Sequence, residues 1–253
     1  MAESVLLPTR KDEAWRYSDT DALAGIDLGT FDQWRDIDVA AGETHTECFV
    51  FDEVEGTQLT RLRVRLGAGA RCELFAVNAG GRLGRMEVVV TAARGSHFEF
   101  GGVTLGGGDT TREFVTRIAH EEPEATSNQV VRAVHWGRGT GNFLGRIDVV
   151  QDAQKTDAAQ SFKGLLLEKG ASANAVPQLE IYADDVQCAH GATVGQLDEG
   201  ARYYLAARGI PPVRAKALLV RAFIADALVA IRNEAERERM LDAALAKLDE
   251  AEL

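Results

Sequence analysis

The sequence predicts a mainly β protein whose chain ends in α-helices. Between residues 44 and 188, short runs rich in β-branched and aromatic residues recur at near-regular spacing, separated by turn signals. After residue 188, apolar residues recur at helical spacing instead. Because no amphipathic helical pattern of ten or more residues interrupts the β-rich region, we expect that region to form one all-β core.

The first 43 residues predict a short lead-in of irregular or helical structure. They combine turn-prone and helix-prone fragments with four aromatic residues, Trp15, Tyr17, Phe31 and Trp34. The N-terminus turns polar after only a few apolar residues, unlike a secretory signal peptide. We therefore expect the protein to stay in the cytoplasm.

About ten strands are predicted in the core, because apolar and polar residues alternate in several of its short runs. Such strands could form a sandwich, a barrel or a β-solenoid, and periodicity alone does not separate these architectures. The runs are ECFVFDEV, QLTRLRVRL, RCELFAV, MEVVVTA, HFEFGGVTL, TREFVTRIAH, NQVVRAVHW, GRIDVVQ, GLLLEK and QLEIYADDV.

The C-terminal region predicts three helices. Asp198 is a suitable N-cap for the first, DEGARYYLAAR, and Gly209 is suited to its C-terminal end. Two prolines then precede a long helix over residues 213–240, and LDAALAKLDEAEL forms the last. The long helix carries an apolar stripe, which predicts either packing against a neighbouring helix or a docking surface for a partner.

Composition limits the classes of partner. The chain has 253 residues, 45% hydrophobic and 26% charged, with a formal net charge of −11. Nucleic-acid binding depends on clustered Lys and Arg, and Arg61, Arg63 and Arg65 alternate with apolar residues as on the solvated face of a strand. No apolar run approaches the roughly 20 residues of a membrane span. We expect neither a nucleic-acid nor a membrane partner.

Cys188 and His190 are the one pair of residues whose side chains could bind a metal or take part in a reaction. Residues two apart on a strand project from the same face, so their side chains would lie side by side. A thiolate and an imidazole suit a soft metal or a nucleophile pair, whereas a buried cysteine beside a hydrogen-bonded histidine would be structural. Cys48 and Cys72 are interpreted as structural, and three cysteines without CxxC spacing indicate reduced thiols.

No catalytic or nucleotide-binding motif is found in the sequence. It contains no G-x-x-x-x-G-K-[ST], no G-x-S-x-G and no H-E-x-x-H, and its glycine clusters are predicted turns. We expect no nucleotide site and no enzymatic activity. A β-solenoid enzyme acting on carbohydrate is the alternative, although the sequence places no cluster of carboxylates on one face.

Residues 145–210 closely resemble the core signature of the SufB/SufD family, scaffold proteins of the Suf iron–sulfur cluster assembly system. The pieces that carry the resemblance are AQKTDAAQS, PQLEIYADDVQCAHGATVGQLD and YYLAARGI, and KDEAWRY near the N-terminus adds to it. The leucine-rich GLLLEK without a cysteine, and the GAT that follows His190, are most similar to the SufD branch.

The resemblance implies a right-handed parallel β-helix over residues 44–194, between a lead-in at 1–43 and a helical subdomain at 195–253. It also implies a non-catalytic scaffold that pairs with a SufB-like paralogue and binds a SufC-type ATPase through the C-terminal helices. His190 matches the family histidine at the subunit interface, where a transient iron–sulfur cluster forms, and Cys188 lies beside it. His190 is thus a candidate metal ligand. A homodimeric scaffold without a distinct paralogue is the second alternative.

Overall fold

The computed structural model describes residues 7–53 and 55–249 and forms a parallel β-solenoid with helices at its C-terminal end. The predicted polar N-terminus and the end of the predicted last helix extend into residues 1–6 and 250–253, outside the described residues. The strands are β1 (Arg35–Val39), β2 (Thr44–Phe51), β3 (Thr57–Leu66), β4 (Arg71–Asn78), β5 (Leu83–Ala92), β6 (His97–Gly106), β7 (Thr111–His120), β8 (Thr126–His135), β9 (Thr140–Val149), β10 (Asp157–Leu166), β11 (Ser172–Ile181) and β12 (Gln187–Gly195).

Successive strands alternate between two sheets, so that each coil of the solenoid contributes one strand to each. The odd-numbered strands form one six-stranded sheet, in the order β1-β3-β5-β7-β9-β11, and the even-numbered strands form the other, β12-β10-β8-β6-β4-β2. All pairings are parallel, and Leu83, Thr111, Thr140 and Ser172 lie in register along the odd sheet. Of the three architectures compatible with the strand pattern, the chain adopts the β-solenoid, as the family resemblance predicts.

Apolar side chains that alternate along the strands fill the space between the two sheets. Val64 and Val88 of the odd sheet and Phe98 and Phe100 of the even sheet belong to this core and are almost fully buried. Phe100 also packs edge-on against Phe114 across the core, with ring centroids 5.2 Å apart. The alternation of apolar and polar residues in the sequence thus indicates which side of each strand faces inward.

The N-terminal segment adds a strand to the solenoid, which the expected irregular lead-in did not include. It contains two 3₁₀ turns (Glu13–Trp15 and Thr20–Leu23) and the short helix α1 (Leu28–Phe31), and then β1, which pairs with β3. The alternation of polar residues with the buried Ile37 and Val39 explains this strand. The predicted division at residues 44 and 195 stays a prediction, with β1 lying ahead of its first boundary.

A buried ion-pair network attaches the lead-in to the solenoid. The Arg85 guanidinium lies 3.7 Å from the centre of the Trp15 ring and pairs with the carboxylates of Glu87 and Glu113. The Ser18 hydroxyl donates to Glu113 over 2.8 Å. Arg61, expected on a solvated face, is instead buried against Glu87, because the lead-in covers this part of the odd sheet.

The C-terminal helices are α2 (Glu199–Ala207), α3 (Pro212–Ala225) and α4 (Glu234–Asp249), and a 3₁₀ turn (Asp226–Leu228) follows α3. The predicted long helix over 213–240 is therefore wrong, since the chain breaks after α3. Asn233 explains the new start at α4, because its side-chain oxygen accepts a hydrogen bond from the backbone of Glu236. Asp198 caps α2 as predicted, accepting from the backbone of Gly200 over 2.8 Å.

The apolar stripe of the helices packs against the outer face of the even sheet. Val220, Ile224 and Leu228 join Val103 and Leu105 in one buried cluster. Part of the predicted stripe, including Phe223 and Leu228, is thus used in packing against the solenoid, whereas Leu218 of α3 is exposed. Of the helices that the structure describes, none has both the length and the apolar content that a bilayer span requires.

Candidate functional site

The candidate site lies at the open end of the solenoid, where the last coil is formed by β11 and β12. Each of these strands is the terminal strand of its sheet, so no further coil covers it. Most residues of β12 are exposed, whereas most residues of β10, the strand paired with it, are buried or half-buried. Three large apolar side chains, Ile181, Tyr182 and Val194, are exposed in this last coil and its following turn.

His190 occupies the last position of an interior column of side chains. The ladder places Phe100, Gln129, Gln160 and His190 in register on successive strands of the even sheet. Gln129 and Gln160 face inward, because Gln129 accepts a hydrogen bond from Thr116 across the core. His190 continues this inward face and is exposed because the solenoid ends there.

Cys188 lies at the same end but is more protected. It is in register with Ala158 and packs against a small apolar cluster that includes Ile147 and Ala183. Burial, and then the negative charge of Asp157, raises the pKa of the Cys188 thiol above its usual range. The thiol is therefore protonated at neutral pH, and binding of a metal would have to displace its proton.

Cys188 and His190 lie two residues apart on an extended strand, as predicted, but they do not form a complete metal site within one chain. Among residues 7–53 and 55–249, no group of three or more His, Cys, Asp or Glu side chains is arranged to hold a metal ion.

The other cysteines lie away from this end. Cys72 is fully buried in the core, and Cys48 is half-buried on β2, at the opposite edge of the even sheet. Burial raises the pKa of each thiol to about 12, so both are protonated and unreactive at neutral pH. Their positions agree with the structural interpretation of these residues.

Comparison with known proteins identifies the family. The model described as "SUF system FeS cluster assembly, SufBD core domain" matches residues 43–223, which include almost the whole solenoid and the first two C-terminal helices. The chain belongs to the SufB/SufD family. The resemblance noted in the sequence is thereby confirmed over a longer segment than the motifs that suggested it.

Curated relatives place the chain nearest the SufD branch, as predicted. It is 39% identical over 126 residues to the iron–sulfur cluster assembly protein SufD of Escherichia coli, a match covering 50% of this chain and 30% of that protein. It is 31% identical over 178 residues to a SufBD family protein of Synechocystis, a match covering 70% of this chain and 39% of that protein. It is 30% identical over 139 residues to SufD of Bacillus subtilis, covering 55% of this chain and 32% of that protein. The matched part thus spans less than half the length of these relatives.

The polar column behind His190 was not predicted from the sequence. The side-chain nitrogen of Gln160 donates to the backbone oxygen of Gln178 over 3.2 Å, while its side-chain oxygen is buried without a partner. Gln129 is likewise buried in this SufD-like solenoid. Gln160 belongs to the family-like AQKTDAAQS, but only the register shows that it lies directly behind His190.

Proposed function

We propose that this chain is a SufD-like, non-catalytic scaffold subunit that helps to form nascent iron–sulfur clusters at the open end of its solenoid. The observation that carries the proposal is the uncovered strand β12, which exposes His190 at the end of the core. The cluster is the cargo of the assembly. His190 and Cys188 would supply at most part of its ligands.

The unpaired edge of β12 favours a second, similar solenoid as the partner. An edge strand presents backbone donors and acceptors that another strand can bind, and the exposed Val194 and Tyr182 add apolar area beside it. A SufB-like paralogue seated there would cover His190 and bring the missing ligands to it. Without the paralogue, the same edge can pair with a second copy of this chain, giving a homodimer.

The C-terminal helices are the proposed docking surface for a SufC-type ATPase. Helix α2 has no buried residue, and its Tyr203 and Tyr204 are 77% and 57% exposed. Aromatic side chains of this kind are enriched at protein–protein interfaces. A cavity of about 330 Å³ is lined by Leu219 and Phe223 of α3 and by Val194 at the end of β12, so the helices lie close to the open end.

The first test is co-expression with the SufB-like paralogue and the SufC-type ATPase, followed by size-exclusion chromatography with light scattering. We expect one complex that contains all three chains, and a Tyr203→Ala/Tyr204→Ala variant is expected to lose the ATPase but retain the paralogue. A chain that elutes alone and monomeric in the presence of both partners would contradict the proposed assembly.

The second test addresses His190 directly. His190→Ala is expected to leave the complex and its circular dichroism unchanged and to lower the yield of clusters in anaerobic reconstitution, followed by visible absorbance. His45→Ala is the matched control, because His45 is a half-buried histidine on β2, at the other edge of the same sheet. Wild-type cluster yield in His190→Ala would remove this residue from the proposal.

A further inference from the structure

Strand β11 contains a proline in its middle. The chain has five prolines, and among the strands that the structure describes only β11 contains one, Pro177. The others lie in the lead-in, in the turn after β7 and at the start of α3: Pro8, Pro123, Pro211 and Pro212. Because proline lacks a backbone N–H, it occurs in sheets almost only on edge strands and at bulges. Its place on a terminal strand therefore affects how that edge can pair.

The donor that Pro177 lacks would lie on the outer side of β11. The N–H of Ser172 donates to the oxygen of Gly139 over 3.0 Å, on the side of β9. The N–H of Tyr182 donates to Val149 over 2.9 Å on the same side. Because backbone groups alternate along a strand, the even-numbered residues of β11 face β9 and the odd-numbered residues face away. The ring nitrogen of Pro177 thus points toward the open edge, and pairing with β9 does not need it.

The two terminal strands at the other end of the solenoid are also poor pairing edges. Strand β1 has only five residues, and three of them are charged. Strand β2 carries Glu47 in register with the core residue Leu74, so this carboxylate is on the inner face. Arg35 of β1 donates to Glu47 over 2.8 Å. Short, charged edge strands and inward-pointing charges both prevent a sheet from being extended by another chain.

Strand β12 differs from these three strands. Its sequence, QCAHGATVG, contains no proline and no Asp, Glu, Lys or Arg. Four of its nine residues are Gly or Ala, and apart from neighbouring residues no atom lies within 4 Å of the place where a Cβ would stand at Gly191 or Gly195. Glycine in a strand often marks a place where another backbone approaches closely. Of the four terminal strands, β12 is therefore the one suited to pairing.

We propose that strand pairing with the partner solenoid is carried by β12, and that Pro177 prevents β11 from forming a continuous ladder with that partner. The inference rests on the proposed function, which supplies the partner, and adds which of the two open edges is paired. A strand that approaches β11 finds no donor at Pro177, and an acceptor placed there loses its hydrogen bond. The even sheet therefore continues into the partner, whereas the odd sheet is interrupted between the two chains.

Amide hydrogen exchange, measured residue by residue in the complex with the SufB-like paralogue, tests which edge is paired. The outward-facing amides of His190 and Ala192 on β12 are expected to exchange about 10-fold more slowly in the complex than in the free chain. Ala175 and Leu179, the outward-facing residues on either side of Pro177, are expected to exchange as they do in the free chain. Equal protection of the two strands, or a complex in which β12 stays unprotected, would overturn the proposal.

Sedimentation equilibrium of the isolated chain provides a test that needs no paralogue. Pro177→Ala restores the outward N–H and is expected to tighten self-association by about 2- to 12-fold, the contribution of one backbone hydrogen bond. Its circular dichroism should match that of the wild type, because this N–H faces away from β9. Pro123→Ala is the matched control, since it removes a proline from a turn and should self-associate as the wild type does. Equal self-association of Pro177→Ala and the wild type would also overturn the proposal.

The two measurements separate this inference from the proposed function. If no complex forms with the paralogue, the proposed function is contradicted, and the self-association of Pro177→Ala still decides the role of the proline. If a complex forms with equal protection of β11 and β12, the proposed function is retained and the role of Pro177 is rejected.

Discussion

Two proline substitutions on β12 separate the folding role of this strand from its proposed role in assembly. The backbone of Gln187 donates to the oxygen of Thr156 over 2.8 Å, so this residue faces the neighbouring strand. Successive residues of a strand point their backbone groups to opposite sides. Ala189 therefore also faces β10, whereas the N–H groups of His190 and Ala192 point away, toward the unpaired edge.

For this reason, the two proline substitutions are expected to have different effects on the stability of the chain and on its binding to the paralogue. Proline at Ala192 removes an N–H that no residue of the described chain uses, and edge strands tolerate proline in this orientation. Proline at Ala189 removes a ladder hydrogen bond and leaves an acceptor of β10 unpaired, at a cost of about 1–3 kcal/mol. For binding to the paralogue, Ala192→Pro is expected to be the more damaging substitution. It should weaken pairing of β12 with the partner strand by about 1–3 kcal/mol, or roughly 5- to 150-fold in Kd.

Urea unfolding of the isolated chain and sedimentation of the complex with the SufB-like paralogue measure the two effects. We expect Ala192→Pro to unfold as wild type does and to bind the paralogue weakly, and Ala189→Pro to be the less stable chain. Unchanged affinity in Ala192→Pro would show that the edge of β12 does not form the interface, and the reasoning from the open sheet would fail.

Three further predictions concern the fold. Glu113→Ala leaves the buried Arg85 with one acidic partner fewer and is expected to lower the free energy of unfolding by about 3 kcal/mol, measured by urea titration. The control Glu180→Ala removes an exposed partner and is expected to lower it by about 0–1 kcal/mol. Equal losses in the two variants would contradict the buried network. His120 is buried, and its pKa is lowered from 6.5 to about 4, so its stabilising contribution is complete above pH 6.5 and is lost as the pH falls toward 4. Between pH 7 and pH 4, the free energy of unfolding of His120→Gln is therefore expected to fall by about 3 kcal/mol less than that of the wild type. Parallel profiles of unfolding free energy against pH for the two proteins would refute this. Asp198→Ala removes the cap of α2 and is expected to cost about 1 kcal/mol, visible as faster amide exchange in that helix, whereas Asp198→Ser should exchange as wild type does.

Candidate-site residues differ in how far the sequence could identify them. Cys188 and His190 stand in a family-like segment, and their spacing predicts a shared face if the segment is extended, which β12 is. Gln160 lies about one coil earlier in the chain, and only the parallel register places it behind His190.

The sequence by itself predicted strands in β2 to β11, their inward faces and the two ends of α2, because these depend on local alternation and on capping residues such as Asp198. It did not include β1 or β12 among the predicted strands. It did not determine how the strands stack, since sandwich, barrel and solenoid share the same period of two. Nor did it predict the break before α4 or the burial of Arg61, which depend on what covers each segment. The tertiary structure decided those points, and with them which strand is left unpaired at the end that carries His190.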